Sequence, residues 1–121
     1  LIPVQTQYLP AKGMTKLLQT VNKVQRKINS NLKITGIVMT LADLNTNITK
    51  STIDTIRESF GKNIRVFDMI IPKATKACEA SISGKSIYAY AKDSKVAVAY
   101  DNLTKELVKN PKIRHKDEIS L

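Results

Sequence analysis

The segment closest to a nucleotide-binding loop is Ser83-Gly84-Lys85-Ser86, because a phosphate-binding loop ends in Gly-Lys-Ser/Thr. The complete loop has another glycine five residues before Gly84, and this chain has Glu79 there. A carboxylate at that position would repel the phosphates that the loop has to wrap. The motif also follows a polar stretch, whereas a true loop joins a strand directly to the next helix. The sequence therefore predicts no phosphate-binding loop.

Residue types suited to other chemistry are scarce. The chain of 121 residues has one cysteine, Cys78, and one histidine, His115. A single cysteine excludes an intramolecular disulfide and a cysteine-based zinc site, and a single histidine excludes a two-histidine metal site. No pairing of a nucleophile with a base is visible. We therefore expect no catalytic residue and no metal site in this chain.

The charge is strongly basic and unevenly placed. The chain contains twenty Lys and Arg residues and ten Asp and Glu residues, which gives a formal net charge of +10 and a pI of about 9.8. Residues 1–42 contain six basic side chains and no acidic one. This asymmetry is typical of a surface that faces a polyanion. Charge alone leaves open the alternative of a solvated basic face.

The sequence shows neither a membrane-spanning segment nor a signal peptide. The longest nearly apolar stretch, Ile34–Ala42, has nine residues, whereas a membrane-spanning helix needs about 20. The N-terminal residues lack the basic head and long apolar body of a signal peptide. The chain begins at Leu1 rather than Met, so we expect an internal segment of a longer protein in the cytoplasm.

Apolar periodicity predicts alternating strands and helices. Strands are predicted at Leu1–Val4, Ile34–Leu41 and Ile64–Ile71, and helices at Pro10–Ser30, at Lys50–Phe60 with Gly61 as its cap, and from Asp93 or Ser94 to Asn110. Residues 73–86 are predicted to form a polar loop, and 87–91 are ambiguous. Such alternation implies a parallel sheet with right-handed crossovers. The predicted fold is a three-layer, Rossmann-like α/β unit that is incomplete, with residues 1–110 as the domain and 111–121 as a polar tail.

Polar residues follow two of the predicted strands. Thr40 and Asp43 lie at the end of the second, and Pro72 and Lys73 lie at the end of the third. In an open α/β sheet, ligands bind outside the carboxyl ends of the strands. These residues are therefore either one wall of a ligand site or simply a helix cap and a strand terminator.

Four segments together resemble the C-terminal half of the ParA/Soj partition ATPases, which are relatives of MinD. Leu1–Gly13 is similar to the family's I-P-V-Q-x-E/Q-Y stretch, and Ile34–Asn47 to its G-[IV]-[LV]-x-T-x-x-D-x-R-T-N. Ile71–Lys76 resembles I-P-R-N-x-[RK], and Glu79–Lys85 resembles E-A-P-x-x-G-K. The order and approximate spacing of all four segments match, from Leu1 to about Val108.

The resemblance implies a parent protein that uses ATP and Mg²⁺, forms a homodimer around ATP and binds DNA without sequence preference at the nucleoid. A ParB-like centromere-binding protein would stimulate its hydrolysis. In the family, the catalytic loop and the acidic motifs precede the I-P-V-Q strand. We therefore expect this chain to have no ATPase activity alone and to need no cofactor alone.

The family's site residues carry over to particular positions. The resemblance places Thr40, Asp43, Pro72 and Lys73 beside the nucleotide base. It implies a DNA contact from Lys76, which stands at one of the family's DNA-binding basic positions. Other lysines would extend the same surface, namely Lys73, Lys85, Lys92, Lys95, Lys105 and Lys109. Lysine contacts phosphate as a point charge without arginine's bidentate fork.

Two positions depart from the family pattern. Asn45 stands where the family has a DNA-binding arginine, and Ser81 replaces the proline of E-A-P. They leave open a divergent partition protein, a mobile-element relative or a fragment that no longer functions. The missing phosphate-binding loop leaves open a stand-alone basic α/β module that binds nucleic acid without nucleotide chemistry, and a further alternative is a structural fragment that serves dimerisation. A MinD-like membrane role is weaker, because the apolar stripe of the last helix is what a core-facing helix needs anyway.

Overall fold

The computed structural model describes residues 1–7 and 11–109, without the side chains of residues 11 and 12. The strands are β1 (Ile2–Gln5), β2 (Ile37–Ala42) and β3 (Val66–Pro72). The helices are α1 (Ala11–Lys27), α2 (Asn47–Phe60), α3 (Thr75–Ile82), α4 (Ile87–Ala91) and α5 (Lys95–Lys109). The predictions for Pro10, for the helix end at Asn110 and for the tail 111–121 with His115 lie outside the described residues.

The three strands form one parallel sheet in the order β1-β2-β3. Ile2 aligns with Ile37, and Ile37 aligns with Val66 on its other side. β2 is central and consists mostly of buried residues, as the continuous apolar run predicts. The structure confirms a parallel α/β sheet flanked by helices, consistent with part of a Rossmann-like fold.

The outer side of β1 is open within the described part of the chain. Ile2 and Val4 are buried, whereas Pro3 and Gln5 are exposed. The amide of Ile2 donates to the carbonyl of Gly36 at 2.9 Å, towards β2. Pro3 has no amide proton to donate, which suits an edge strand.

Two apolar clusters cover the two faces of the sheet. The first face is covered by α1 and α2, called here the first layer, and its cluster consists of Ile2, Val4, Met14, Ile34, Ile37, Met39, Ile53, Ile56 and Ile64. The second face is covered by α5, and its cluster consists of Val38, Phe67, Ile71, Val96, Ala99 and Leu103. Ala77 of α3 and Ile87 of α4 pack against this second cluster, so α3, α4 and α5 are called the second layer. Each fully buried aliphatic or aromatic side chain contributes about 1.5–3 kcal/mol.

The edge strand β3 is irregular, and side chains from both layers contact the irregularity. The pairing of β2 with β3 shifts register between Ile37 and Met39. Two backbone amides near this shift, those of Asp68 and Met69, donate to the carboxylate of Glu106 on α5 at 2.9 and 3.1 Å. From the first layer, an Arg57 guanidinium nitrogen lies 3.8 Å from the Asp68 carboxylate. Glu106 thus satisfies backbone donors at the irregular part of this strand.

The prediction of a polar loop over residues 73–86 is wrong, because Thr75–Ile82 forms α3. This helix buries only Ala80, so its sequence has no apolar stripe to reveal it. The ambiguous stretch 87–91 is helical as well. The Ser86 hydroxyl caps α4 by accepting the amide of Ala89 at 3.1 Å.

Helical spacing predicts a buried apolar stripe on each of the two long helices, and the structure buries these stripes only in part. The predicted stripe residues are Met14, Leu17, Leu18, Val21, Val24 and Ile28 in the first helix and Val96, Tyr100, Leu103 and Leu107 in the last. In α1, Met14 is buried, but Leu17 is exposed, and Ile28 just beyond the helix is 82% exposed. In α5, the predicted core residue Tyr100 is exposed, while Ala99 is buried in its place. The smaller alanine allows α5 to approach the sheet closely.

Two predicted helix caps are confirmed. Ser94 caps α5, since its hydroxyl accepts the amide of Ala97 at 3.3 Å. Gly61 is the C-cap of α2, with a right-handed φ of −63°. A Cβ at Gly61 would clash with the carbonyl oxygen of Arg57. Close backbone approach, rather than a left-handed turn, explains this glycine.

Candidate nucleotide-base edge and nucleic-acid interface

The strand-end residues come together at the carboxyl edge of the sheet. Ala42 aligns with Pro72, and the amide of Lys73 donates to the carbonyl of Ala42 at 2.9 Å. Thr40 aligns with Gln5 on the other side of β2, and its hydroxyl lies 3.5 Å from the carbonyl of Val4. The ends of β2 and β3 therefore form one continuous edge, as parallel pairing requires.

Asp43 makes local hydrogen bonds through its side chain and through its backbone carbonyl. One carboxylate oxygen accepts the amide of Asn45 at 3.2 Å, which closes an Asx turn. The backbone carbonyl of Asp43 accepts the hydroxyl of Thr46 at 2.9 Å. Thr46 in turn is the N-cap of α2 and accepts the amide of Thr49 at 3.4 Å. Asp43 thus shapes the loop into α2, and the cap itself is Thr46.

Leu41 has an unusual backbone conformation at this edge. Its φ is +51°, and its side chain is 43% exposed. A left-handed conformation at a non-glycine residue costs about 1–2 kcal/mol. The pairing of β2 with β3 also shifts register between Met39 and Ala42. The strain therefore lies where the family resemblance places the nucleotide base.

Thr6 lies just beyond β1 at the same edge and is a buried polar residue that the sequence motifs do not indicate. Its amide donates to the carbonyl of Thr40 at 3.3 Å. Its fully buried hydroxyl has no hydrogen-bond partner among the described residues. No sequence pattern marks this residue, because an alternating strand predicts its burial and not its missing partner.

The predicted DNA-contacting lysines lie in the second layer or in the loops that join its helices, except Lys73, which directly follows β3. All seven are exposed: Lys73, Lys76, Lys85, Lys92, Lys95, Lys105 and Lys109. Two of them have acidic neighbours, since Lys76 lies 3.5 Å from the Glu79 carboxylate and Lys105 lies 3.0 Å from that of Asp101. Asn45, where the family has an arginine, is exposed at the carboxyl edge.

One cluster joins α3 to α4 beside these lysines. The Tyr90 hydroxyl donates to the Glu79 carboxylate at 2.9 Å, and this hydrogen bond to the carboxylate raises the pKa of Tyr90 above its ordinary value. The ammonium of Lys76 lies 5.9 Å from the centre of the Tyr90 ring. The cluster holds Lys76 on the surface of the second layer.

Ser83-Gly84-Lys85-Ser86 connects α3 to α4 rather than a strand to a helix. Gly84 has a φ of +67°, and a Cβ at this position would have no other atom within 4 Å, so the glycine serves a left-handed turn. Within the described residues, no three His, Cys, Asp or Glu side chains are grouped to hold a metal ion. No helix in that part of the chain combines the length and the hydropathy that crossing a bilayer requires.

A parallel sheet with helices on both faces, and with polar groups at the carboxyl ends of its strands, defines an open α/β protein, a class in which ligands bind outside those strand ends. The chain is 35% identical over 109 residues to the sporulation initiation inhibitor protein Soj of Bacillus subtilis, covering 90% of this chain and 42% of that protein. It is 36% identical over 107 residues to the chromosome-partitioning ATPase Soj of Treponema pallidum, covering 88% and 42%. Chromosome partitioning protein ParA of Myxococcus xanthus is 34% identical over 109 residues, covering 90% and 38%.

Over about 90% of its length the chain therefore matches a C-terminal part of the ParA/Soj chromosome-partitioning proteins. It spans about two fifths of the length of these relatives. No family model matches the chain. The family resemblance predicted from the four segments is confirmed.

Proposed function

We propose that the chain is part of a ParA-type partition ATPase, to which it contributes non-specific DNA contacts and the base side of the ATP site. The observation that carries the proposal is the similarity to chromosome-partitioning proteins over about 90% of the chain. The fold agrees with this assignment, because the carboxyl edge of a parallel sheet is where such proteins bind ligands.

The base side of the ATP site is assigned to Thr40, Asp43, Pro72 and Lys73. One carboxylate oxygen of Asp43 accepts the amide of Asn45 in its turn, and we assign the contact with the base to backbone groups and the ring of Pro72. Exposed Leu41 adds apolar surface at the same edge. Base recognition here would depend on packing and backbone groups more than on side-chain charge.

The described residues do not fit the phosphates or Mg²⁺. They contain no glycine-rich loop between a strand and a helix and no group of three acidic, His or Cys side chains that could hold a metal ion. The Soj relative from Treponema pallidum is a chromosome-partitioning ATPase. We infer that polypeptide outside the matched region would supply the phosphate and Mg²⁺ contacts, and that this chain alone does not hydrolyse ATP. A ParB-like partner, a homodimer and a location at the nucleoid belong to the same proposal.

DNA contact is assigned to the second-layer lysines. Sequence-independent binding needs only positive charges near the phosphates, and each phosphate contact makes affinity more sensitive to salt. Lys85, Lys92 and Lys95 are exposed beside α4 and at the start of α5. Among the described residues, none of these three lysines forms an ion pair with a carboxylate. The same surface continues to the Lys76 cluster.

The double variant Lys92→Gln/Lys95→Gln tests this surface. We expect its affinity for a random-sequence duplex at low salt to fall by about tenfold, and the slope of log K against log[salt] to become shallower by up to about 1.8, since each lost phosphate contact removes about 0.9. Fluorescence anisotropy of a labelled duplex measures both quantities.

The matched control is Lys50→Gln/Lys62→Gln, which removes the same charge from the first layer. Both of these lysines are exposed on or just after α2. Equal losses in the two variants would show that net charge, rather than this surface, governs binding, and would contradict the assignment.

A further inference from the structure

We propose that the exposed basic face of α1 is a second binding surface for the phosphates of duplex DNA, on the opposite side of the sheet from the second-layer lysines. α1 contains five basic residues and no acidic one: Lys12, Lys16, Lys23, Arg26 and Lys27. Residues 1–42 as a whole contain no acidic side chain. The helix and its neighbours in sequence therefore offer no carboxylate that would neutralise this charge.

The other described helices differ in this respect. α5 pairs Lys105 with Asp101 at 3.0 Å, and α3 pairs Lys76 with Glu79 at 3.5 Å. α2 carries Asp54 and Glu58 beside its own basic residues, and α4 carries no charged residue. Among the described helices, α1 is the one with basic side chains and no acidic residue of its own.

The geometry of α1 aligns part of this charge. Lys16, Lys23 and Lys27 are exposed and are separated by seven and four residues, so they lie on one side of the helix. At about 1.5 Å of rise per residue they form a row roughly 16 Å long. Met14 and Leu18 pack into the core. A duplex presents about one phosphate charge per 1.7 Å along its axis, so this row would run beside about ten of them.

The chemistry of this face fits duplex phosphates better than a membrane or a single strand. The apolar side chains Met14, Leu18 and Val21 of α1 pack into the core, which leaves no broad apolar face to enter a bilayer. No aromatic side chain lies between Lys16 and Lys27, so there is no platform on which unpaired bases would stack. Lysine point charges without aromatic partners bind the phosphate backbone.

The position of α1 makes this surface independent of the one proposed above. α1 belongs to the first layer, whereas Lys92 and Lys95 belong to the second, on the other face of the sheet. One straight duplex cannot lie on both faces. The choice of DNA as the polyanion rests on the proposed function, but the location of the surface does not.

The double variant Lys16→Gln/Lys23→Gln tests the proposal. In anisotropy titrations of the whole chain with a short random-sequence duplex, we expect affinity at low salt to fall about tenfold and the salt slope to become shallower by up to about 1.8. The loss should appear both in the unaltered chain and in the Lys92→Gln/Lys95→Gln background. The charge-retaining variant Lys16→Arg/Lys23→Arg should bind as the unaltered chain does, which separates lost charge from lost folding.

The control is again Lys50→Gln/Lys62→Gln, which lies in the same layer as α1. Equal effects of this control and of the α1 variant would overturn the inference. Tighter binding to phosphatidylserine vesicles than to the duplex, lost in the α1 variant, would also overturn it in favour of a lipid surface. A loss in the α1 variant with no loss in Lys92→Gln/Lys95→Gln would support this inference while contradicting the second-layer assignment.

Discussion

Replacing Glu106 with alanine is expected to lower the free energy of unfolding by about 2–3 kcal/mol. The carboxylate accepts the amides of Asp68 and Met69 at 2.9 and 3.1 Å. A hydrogen bond to a charged group contributes about 1.5–3 kcal/mol, and the bond from the Met69 amide is partly buried. An Arg65 guanidinium nitrogen, 4.0 Å from the same carboxylate, also loses this ion pair. Equilibrium unfolding in urea measures the change.

Glu58→Ala is the matched control, because Glu58 is an exposed carboxylate on α2. Exposed substitutions of this kind usually change stability by no more than about 0.5 kcal/mol. Glu106→Gln keeps one acceptor oxygen and should have an intermediate effect. If Glu106→Ala and Glu58→Ala were equally mild, the carboxylate would not stabilise the irregular part of β3.

Replacing Gly36 with alanine is expected to lower the free energy of unfolding by about 3 kcal/mol. The φ of Gly36 is +154°, a conformation that other residues rarely adopt. A Cβ there would lie 2.6 Å from Cε2 of Phe67 and 2.8 Å from the carbonyl oxygen of Arg65. Backbone strain of about 1–3 kcal/mol and overpacking of about 1–3 kcal/mol both contribute. Urea unfolding again measures the loss.

Gly84→Ala measures backbone strain without the packing part of this effect. Gly84 also has a positive φ, +67°, but a Cβ there would meet no atom within 4 Å. We expect it to lower stability by about 1–2 kcal/mol, the cost of the left-handed conformation alone. A shorter side chain at position 67, as in Phe67→Leu, should reduce the additional cost of Gly36→Ala in a double-mutant cycle. Equal effects of Gly36→Ala and Gly84→Ala would show that Phe67 does not restrict position 36.

The helices and strands that the sequence predicts correctly are those whose apolar residues are buried and therefore recur at regular spacing. The β-branched run that forms β2 is buried on both faces, so its residues are almost all apolar. α2 is predictable because Ile53 and Ile56 recur at helical spacing and are buried. α3 is not predictable in this way because only Ala80 of that helix is buried, and a helix that packs so little carries no apolar stripe.

The position of the strand-end residues in the candidate site can be predicted from the sequence. The hydrogen bonds and backbone conformations around them cannot. Parallel pairing brings the ends of adjacent strands together, so Ala42 and Pro72 align. The contacts of Glu106 with β3 join residues 37 and 38 positions apart in sequence, and no local pattern encodes such a pairing. The positive φ of Leu41 is equally invisible, because leucine is not a residue that favours it.

The two layers of helices place the basic residues on different faces of the sheet. The lysines predicted to contact DNA all follow residue 72, and they lie in or beside the second layer. The acid-free first third of the chain includes α1, on the other face. Much of the basic charge is therefore divided between two separate surfaces, which variants in each layer can distinguish.

The proposed function requires that this part of a ParA/Soj-type protein carries surfaces that contact DNA phosphates. The most direct measurement is the affinity of the unaltered chain for a random-sequence duplex between about 50 and about 200 mM salt. We expect binding at low salt that weakens by at least about tenfold across this range, with a slope corresponding to several phosphate contacts. No binding at the lowest salt, or binding that salt leaves unchanged, would contradict the proposal.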